Sequence, residues 1–269
     1  MSKQMNIAVA GCAGRMGRQL VAAAITSGHR VSGGSEASGA SALGQDIGQL
    51  ANLDAIGVNA TDQIESAARD SGAWFDFTVP TATLHALSVL PGLGVRAAII
   101  GTTGFSEAEE QTIAAAANNL AIVKAGNFSL GVNLMQVLVR QAASRLGEDW
   151  DIEIAETHHR HKVDAPSGTA LMLGEAAAQG REQPLDELRS APYDGPDAKR
   201  VPGQIGFSVR RTGGVIGDHE VTLGTDMEVV TLRHTALDRA VFAHGAIKAA
   251  EWAIDQAPGL YDMSDVLGF

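Results

Sequence analysis

Short, continuous apolar runs alternate with glycine- or threonine-rich stretches along the first half of the chain. The runs at 6–10 (NIAVA), 30–35, 74–78 (WFDFT), 95–100 (VRAAII) and 120–125 (LAIVKA) are too short for helices, which predicts strands, mostly buried on both faces. Segments of helical period separate several of them, at 18–27, from Pro80 to about Leu90, and at 106–119, where Ser106 is the expected N-cap. Residues 37–63 carry no strong period and are expected to form a loop with short elements. Strands separated by helices predict a parallel, doubly wound sheet.

The pattern changes near Leu130. A long apolar-periodic helix is predicted at 130–146, a strand at 151–157 and a short helix at 167–178. Residues 179–204 mix prolines, glycines and charges without period and read as an extended surface loop. Strand-like runs at 205–211, 219–223 and 227–234 follow with no helix between them, which predicts a mixed or antiparallel sheet. A last helix is predicted at 238–255, and its periodicity suits either sheet. The expected fold class is therefore α/β, with a parallel sheet in the first half and a mixed or antiparallel sheet in the second.

Composition narrows the function. With 45% hydrophobic and 19% charged residues, the chain has the make-up of a soluble globular protein, and its 31 glycines suit many tight strand-to-helix turns. No apolar run approaches the roughly 20 residues of a membrane span, and the N-terminus shows no signal-peptide pattern, so no membrane partner is expected. The single cysteine, Cys12, excludes an internal disulfide and fits a cytoplasmic location. A net charge of −11 argues against nucleic acid as a partner. Anionic ligands must then be drawn by local groups.

Two stretches carry the chemistry. Directly after the first predicted strand comes Gly11-Cys12-Ala13-Gly14-Arg15-Met16-Gly17, leading into a helix. Strand, glycine turn and helix is the context of a dinucleotide site, with pyrophosphate on the helix N-terminus. Gly11 allows the tight turn, Gly14 the approach of pyrophosphate to backbone, and Gly17 close helix packing. Glu36, ending the second predicted strand, lies about 20 residues on, where a ribose hydroxyl is gripped. Further glycine- or threonine-rich stretches at 78–81, 101–104 and 126–129 also follow predicted strands, which places them as walls of one crevice.

The second stretch is EIAETHHRHKVDAPSGTAL, from Glu153 to Leu171. His158, His159, Arg160, His161 and Lys162 form a cationic knot in an acidic chain. Alone, such a run reads as a solvated loop, a metal site or a nucleic-acid patch. Adjacent histidines on one segment rarely converge on one ion, so no metal is expected. The residues that follow sharpen the picture, because Pro166 and Ser167 mark a helix start at which Gly168 and Thr169 present backbone N–H groups. A cation on one side and a helix N-terminus on the other make a clamp for carboxylates, and histidine and lysine there can move protons.

These segments resemble the family of 4-hydroxy-tetrahydrodipicolinate reductases (dihydrodipicolinate reductases). The matching stretches are GCAGRMGRQ at 11–19, DFTVP at 76–80, GTTGF at 101–105, AGNFSLGVN at 125–133 and, most specific, ETHHRHKVDAPSGTA at 156–170. Weaker matches are VPGQIGFSVRR at 201–211, GDHEV at 217–221 and YDMSDVL at 261–267.

The resemblance implies a Rossmann-like, parallel-sheet dinucleotide-binding domain at 1–129 and 239–269 and a smaller mixed-sheet α+β domain at 130–238 that binds substrate and oligomerises. It implies a homotetramer and NADH or NADPH as cofactor. The implied reaction passes a hydride to dehydrated 4-hydroxy-tetrahydrodipicolinate, a dicarboxylate, on the diaminopimelate route to lysine. By motif position, His158 is the acid/base residue and Lys162 the proton donor, while His159, Gly168 and Thr169 hold the substrate. Gly11, Cys12, Ala13, Gly14, Arg15, Met16, Glu36, Gly101, Thr102, Thr103, Ala125, Gly126, Asn127 and Phe128 line the cofactor site. Some members carry arginine after the acidic residue of the second strand, where this chain has Ala37. Without that cation, NADH is expected to serve at least as well as NADPH.

Overall fold

The computed structural model describes residues 4–269, which form two compact units, 4–129 with Ala240–Phe269, and Leu130–Arg239. In chain order the first unit builds β1 (Asn6–Ala10), α1 (Arg15–Thr26), β2 (Arg30–Ser35), α2 (Ile47–Leu50), α3 (Ile64–Ala68), β3 (Ala73–Asp76), α4 (Pro80–Val89), β4 (Ala97–Ile100), α5 (Glu107–Ala116) and β5 (Ala121–Lys124). The second unit contains α6 (Leu130–Arg145), β6 (Asp151–His158), α7 (Gly168–Gly180), α8 (Leu185–Leu188), β7 (Ile205–Arg211), β8 (Gly217–Gly224) and β9 (Val229–Ala236). The chain then returns to the first unit with α9 (Ala240–Ala253), β10 (Gly259–Tyr261) and α10 (Met263–Leu267).

The first unit is Rossmann-like. Its six strands are parallel, in the order β10-β5-β4-β3-β1-β2. Every residue of β3 and β4 is buried, which explains why those runs read as continuously apolar. One core layer joins Trp74, Ile100 and Ile122 of the sheet to Ala67, Leu87 and Ile113 of α3, α4 and α5. The helices α1 and α9 pack together, with α9 against β4 and β5. The chain passes from β1 to β2 on one side and then to β3 on the other. The carboxyl ends of β1 and β3 therefore flank a topological switch point, the place where ligands bind in such sheets.

The second unit is a mixed four-stranded sheet, β7-β6-β8-β9, with β6 parallel to β7 and antiparallel to β8. Its core joins Met135 and Val139 of α6 and Leu173 and Ala177 of α7 to Ile152, Ile154, Val221 and Leu223 of the sheet. Val229, Thr231, Arg233 and Thr235 of β9 are exposed. No helix among the described residues is long and apolar enough to cross a membrane.

Three expectations from the pattern need correction. Helix α1 starts at Arg15 rather than 18, because Gly14 is already its N-cap. The stretch 179–204 is not one extended loop: α7 runs to Gly180, and Leu185 and Leu188 of α8 are buried in the core. Arginines tie down the rest, since Arg181 donates to the carbonyls of Trp150 and Gly203, and Arg200 ion-pairs with Asp151 at 2.6 Å and with Glu153. The apolar Met227 does not open β9. It is 92% exposed in a hairpin turn closed by Thr225 N–H donating to the Glu228 carbonyl at 2.9 Å, so the strand starts at Val229. Periodicity also missed β10, a three-residue edge strand beside β5.

Candidate active site

In the first unit, the glycine turn leaves β1 at Gly11, whose φ of +61° lies in the left-handed region that glycine tolerates. Gly14 N–H donates to the Gly11 carbonyl at 2.9 Å and closes the turn. A Cβ on Gly17 would sit 2.0 Å from the Gly11 carbonyl oxygen, so only glycine lets α1 start this close to the strand. The N-terminus of α1 has no side-chain cap and no acidic residue in its first turn, and Arg15, exposed, opens it. By contrast, α5 and α10 both begin with capping boxes. A helix end so positive and uncapped fits an anionic pyrophosphate.

Glu36 joins this turn from the end of β2, where its Oε1 accepts from Ala13 N–H at 2.6 Å. It also lines a cavity of about 370 Å³ with Gly11, Ala37, Ser38, Asp62, Thr78, Val79 and His85, among others, at the carboxyl ends of β1, β2 and β3. Its size and partly apolar wall suit a nucleoside. Backbone hydrogen bonds then step the next two loops across the sheet: Gly101 N–H donates to the Asp76 carbonyl at 2.8 Å and Ala125 N–H to the Ile100 carbonyl at 3.1 Å.

Within these loops the predicted residues divide into two groups. Gly14, Arg15, Thr103 and Gly126 are exposed, and Ala13, Met16, Gly101, Ala125 and Asn127 are partly so. Cys12, Thr102 and Phe128 are buried and turn their side chains inward. The Cys12 thiol is pushed up to about 12 by burial and by the nearby Glu36 carboxylate. Thr102 is absorbed by a carboxylate that pattern reading overlooked. Asp76, 1% exposed, accepts from the hydroxyls of Thr78 at 2.5 Å, Thr83 at 2.9 Å and Thr102 at 3.2 Å. This hydroxyl cluster knits the loop after β3 to the loop after β4.

In the second unit, the cationic knot leaves the end of β6. His158 is buried, His159 and Lys162 are partly exposed, and Arg160 and His161 are exposed. Lys162 N–H donates to the His159 carbonyl at 3.1 Å in a turn, and Lys162 Nζ ion-pairs with Asp164 Oδ1 at 2.9 Å. That pairing holds the Asp164 carboxyl below the usual carboxylate range. The pKa of His159 is lowered by partial desolvation and by Arg239 and its cationic neighbours. Helix α7 begins after Ser167, whose Oγ accepts from Ala170 N–H at 3.2 Å. Gly168 is exposed and Thr169 partly exposed at this helix end. Among the described residues, no three His, Cys, Asp or Glu side chains gather as a metal site.

Beneath the knot lies a polar network that sequence reasoning missed. Glu156, 1% exposed, receives His158 Nδ1 at 2.5 Å, Ser167 N–H at 3.0 Å and two nitrogens of Arg211. Burial alone would raise its pKa, but Arg211, His158 and the Ser167 N–H outweigh that and hold it low. Arg211 also donates to the Asp164 carbonyl at 2.5 Å. His219, on β8, meets Ser167 Oγ through Nε2 at 3.1 Å and packs edge-on to His158, with ring centroids 5.0 Å apart. Burial first, and then His158, pushes its pKa down to about 4. The alternation of β6 contained a signal for this network: Glu156 falls in register with the buried Ile152 and Ile154, so its carboxylate had to be inside.

A Rossmann-like sheet with an uncapped glycine turn, in one chain with a mixed sheet that carries a buried cluster of Glu156, His158 and Arg211, suits a nucleotide-dependent oxidoreductase. Comparison with known proteins narrows the class. The family model "Dihydrodipicolinate reductase, N-terminus" matches residues 5–128, and "Dihydrodipicolinate reductase, C-terminus" matches residues 131–267. The chain belongs to the dihydrodipicolinate reductase family. A relative from Parvibaculum lavamentivorans, named 4-hydroxy-tetrahydrodipicolinate reductase, is 50% identical over 100% of this chain and 99% of its own. One of the same name from Cereibacter sphaeroides is 48% identical, with 100% of both chains covered. Among solved structures, a dipicolinate-bound dihydrodipicolinate reductase from Paenisporosarcina sp. TG-14 shares the fold, with a TM-score of 0.77 at 23% identity over 97% of this chain and 98% of that one.

Proposed function

We propose that the protein reduces dehydrated 4-hydroxy-tetrahydrodipicolinate to tetrahydrodipicolinate with NAD(P)H, on the diaminopimelate route to lysine. The observation that supports it most is the cationic segment His158–Lys162 running into the N-terminus of α7, a carboxylate clamp that contains its own proton donors. Family membership supplies the substrate.

A bound nicotinamide dinucleotide supplies the hydride. The uncapped start of α1, with Arg15, binds its pyrophosphate, and Glu36 takes a ribose hydroxyl. The loops at Gly101–Thr103 and Ala125–Phe128 wall the crevice. In the second unit, His159 and the α7 start at Gly168 and Thr169 hold the substrate carboxylates. Lys162 Nζ gives the proton that balances the hydride, and His158 acts as the acid/base residue. NADH serves at least as well as NADPH: Ala37 offers no cation to a 2′-phosphate, and Glu36 and Asp62 both line that cavity. The reading includes a cytoplasmic homotetramer, for which the exposed strand β9 offers surface; size-exclusion chromatography with light scattering tests the assembly.

The direct test follows NADH absorbance with and without freshly made condensation product of aspartate semialdehyde and pyruvate. Oxidation that depends on that product is expected. Its absence would leave a dinucleotide-sensing protein as the better reading.

A further inference from the structure

Glu156 is an ionised acceptor with no proton to give, and its two oxygens have different tasks. Oε2 meets His158 Nδ1 at 2.5 Å, and Oε1 accepts the Ser167 N–H at 3.0 Å where α7 starts. Arg211 reaches both oxygens, at 2.8 and 3.0 Å, and keeps the carboxylate from rotating. A carboxylate that only accepts requires a donor opposite it, so the neutral imidazole carries its proton on Nδ1. Nε2 is then the nitrogen left to take and give a proton. A Cβ on Gly217 would lie 3.2 Å from Nε2, so glycine keeps that side of the ring uncrowded.

We propose that Glu156, clamped by Arg211, is the positioning residue of the site: one oxygen sets the tautomer and orientation of His158, and the other fixes the helix start that holds substrate carboxylate. This deepens the functional reading above and rests on it for the role of His158. A single buried side chain thus couples the proton-transfer group to the carboxylate clamp, and neither can shift alone without breaking a bond to Glu156.

Two measurements test this on the full-length protein. Long-range proton–nitrogen spectra of the imidazoles, assigned with His158→Gln, are expected to show the neutral His158 protonated on Nδ1. A neutral His158 protonated on Nε2 would overturn the proposal, and no Glu156 variant has to fold for that result. Kinetically, Glu156→Gln keeps one side-chain oxygen to accept the Ser167 N–H, so it is expected to lower kcat by about tenfold or more, with substrate KM changed by less than about threefold, and to leave His158 a mixture of tautomers. Glu156→Asp, which keeps the charge, is expected to fall between wild type and Glu156→Gln. If Glu156 acts through His158, the double variant Glu156→Gln/His158→Gln is no slower than His158→Gln. Additive losses would overturn it. The spectra do not depend on turnover, so a wild-type protein that fails to reduce the substrate yet shows the Nδ1 tautomer would sink the functional reading while leaving the positioning of His158 intact.

Discussion

Arg211 holds both oxygens of the Glu156 carboxylate, with Nη1 2.8 Å from Oε2 and Nη2 3.0 Å from Oε1. The two residues sit on adjacent parallel strands, because His158 pairs with Arg211 and Glu156 with Val209 in the β6–β7 register. The pair lies at the end of the sheet from which the cationic knot departs. It neutralises a buried charge and, through the Asp164 carbonyl, ties down the segment that contains Lys162.

Removing that guanidinium leaves a carboxylate buried without its counter-ion. Arg211→Ala is expected to lose about 2–4 kcal/mol of stability, below the full cost for a wholly buried pair because Arg211 is partly exposed. Urea unfolding at neutral pH reads this. Arg211→Lys should recover only part, since one ammonium cannot span two carboxylate oxygens and a carbonyl.

His219 sets a pH window. Its folded-state pKa is lowered to about 4 from an ordinary 6.5, so folding favours the neutral ring. Its contribution is present in full above pH 6.5 and is lost as pH falls toward 4, up to about 3 kcal/mol. Glu156, Asp164 and Asp218, all held low, lose their contributions in a more acidic range, below about pH 4.5. Between pH 7 and 4.5, wild-type stability should fall more steeply than that of His219→Gln. Equal slopes would show that His219 does not stay neutral on folding.

Lys162 and His158 should separate kinetically. Lys162→Ala is expected to lower kcat by about a hundredfold and to raise substrate KM less. A loss confined to KM would make Lys162 part of the clamp alone. For His158→Gln, a pH–rate profile that keeps its shape and changes only in scale would assign His158 electrostatic stabilisation rather than proton transfer.

Cofactor choice is open to a direct ratio. With Ala37 in place of a cation, kcat/KM for NADPH should not exceed that for NADH by more than about tenfold. Ala37→Arg is expected to move the ratio toward NADPH. No movement would mean that the 2′ position is read elsewhere.

Gly217→Ala tests the room beside His158. The new methyl would stand 3.2 Å from Nε2, in a β-strand whose backbone accepts alanine. We expect kcat to drop about threefold or more with a melting temperature close to wild type. Unchanged turnover would show that the imidazole has slack to tilt.

What the sequence determined by itself was local and periodic. Runs such as Asn6–Ala10 and Ala97–Ile100 are buried on both faces, so their apolar continuity showed in the chain before any fold was known. The glycine turn at Gly11–Gly17 was legible because it needs a positive φ and a close approach, which only one residue type permits. The helix start at Ser167 was legible because a cap is a contact within a few residues. The tertiary structure alone decided everything that depends on residues distant in sequence. Glu156 and Arg211 stand 55 positions apart, and Ser167 and His219 stand 52 apart. No spacing rule could pair them, because their meeting is set by the order β7-β6-β8 and its register. Periodicity could not place α9 for the same reason: an apolar helical face suits any sheet, and only packing against β4 and β5 returned it to the first unit. The cationic knot was visible as charge from the outset. Which of its histidines is buried, and which carboxylate orients it, came from the strand pairing beneath it.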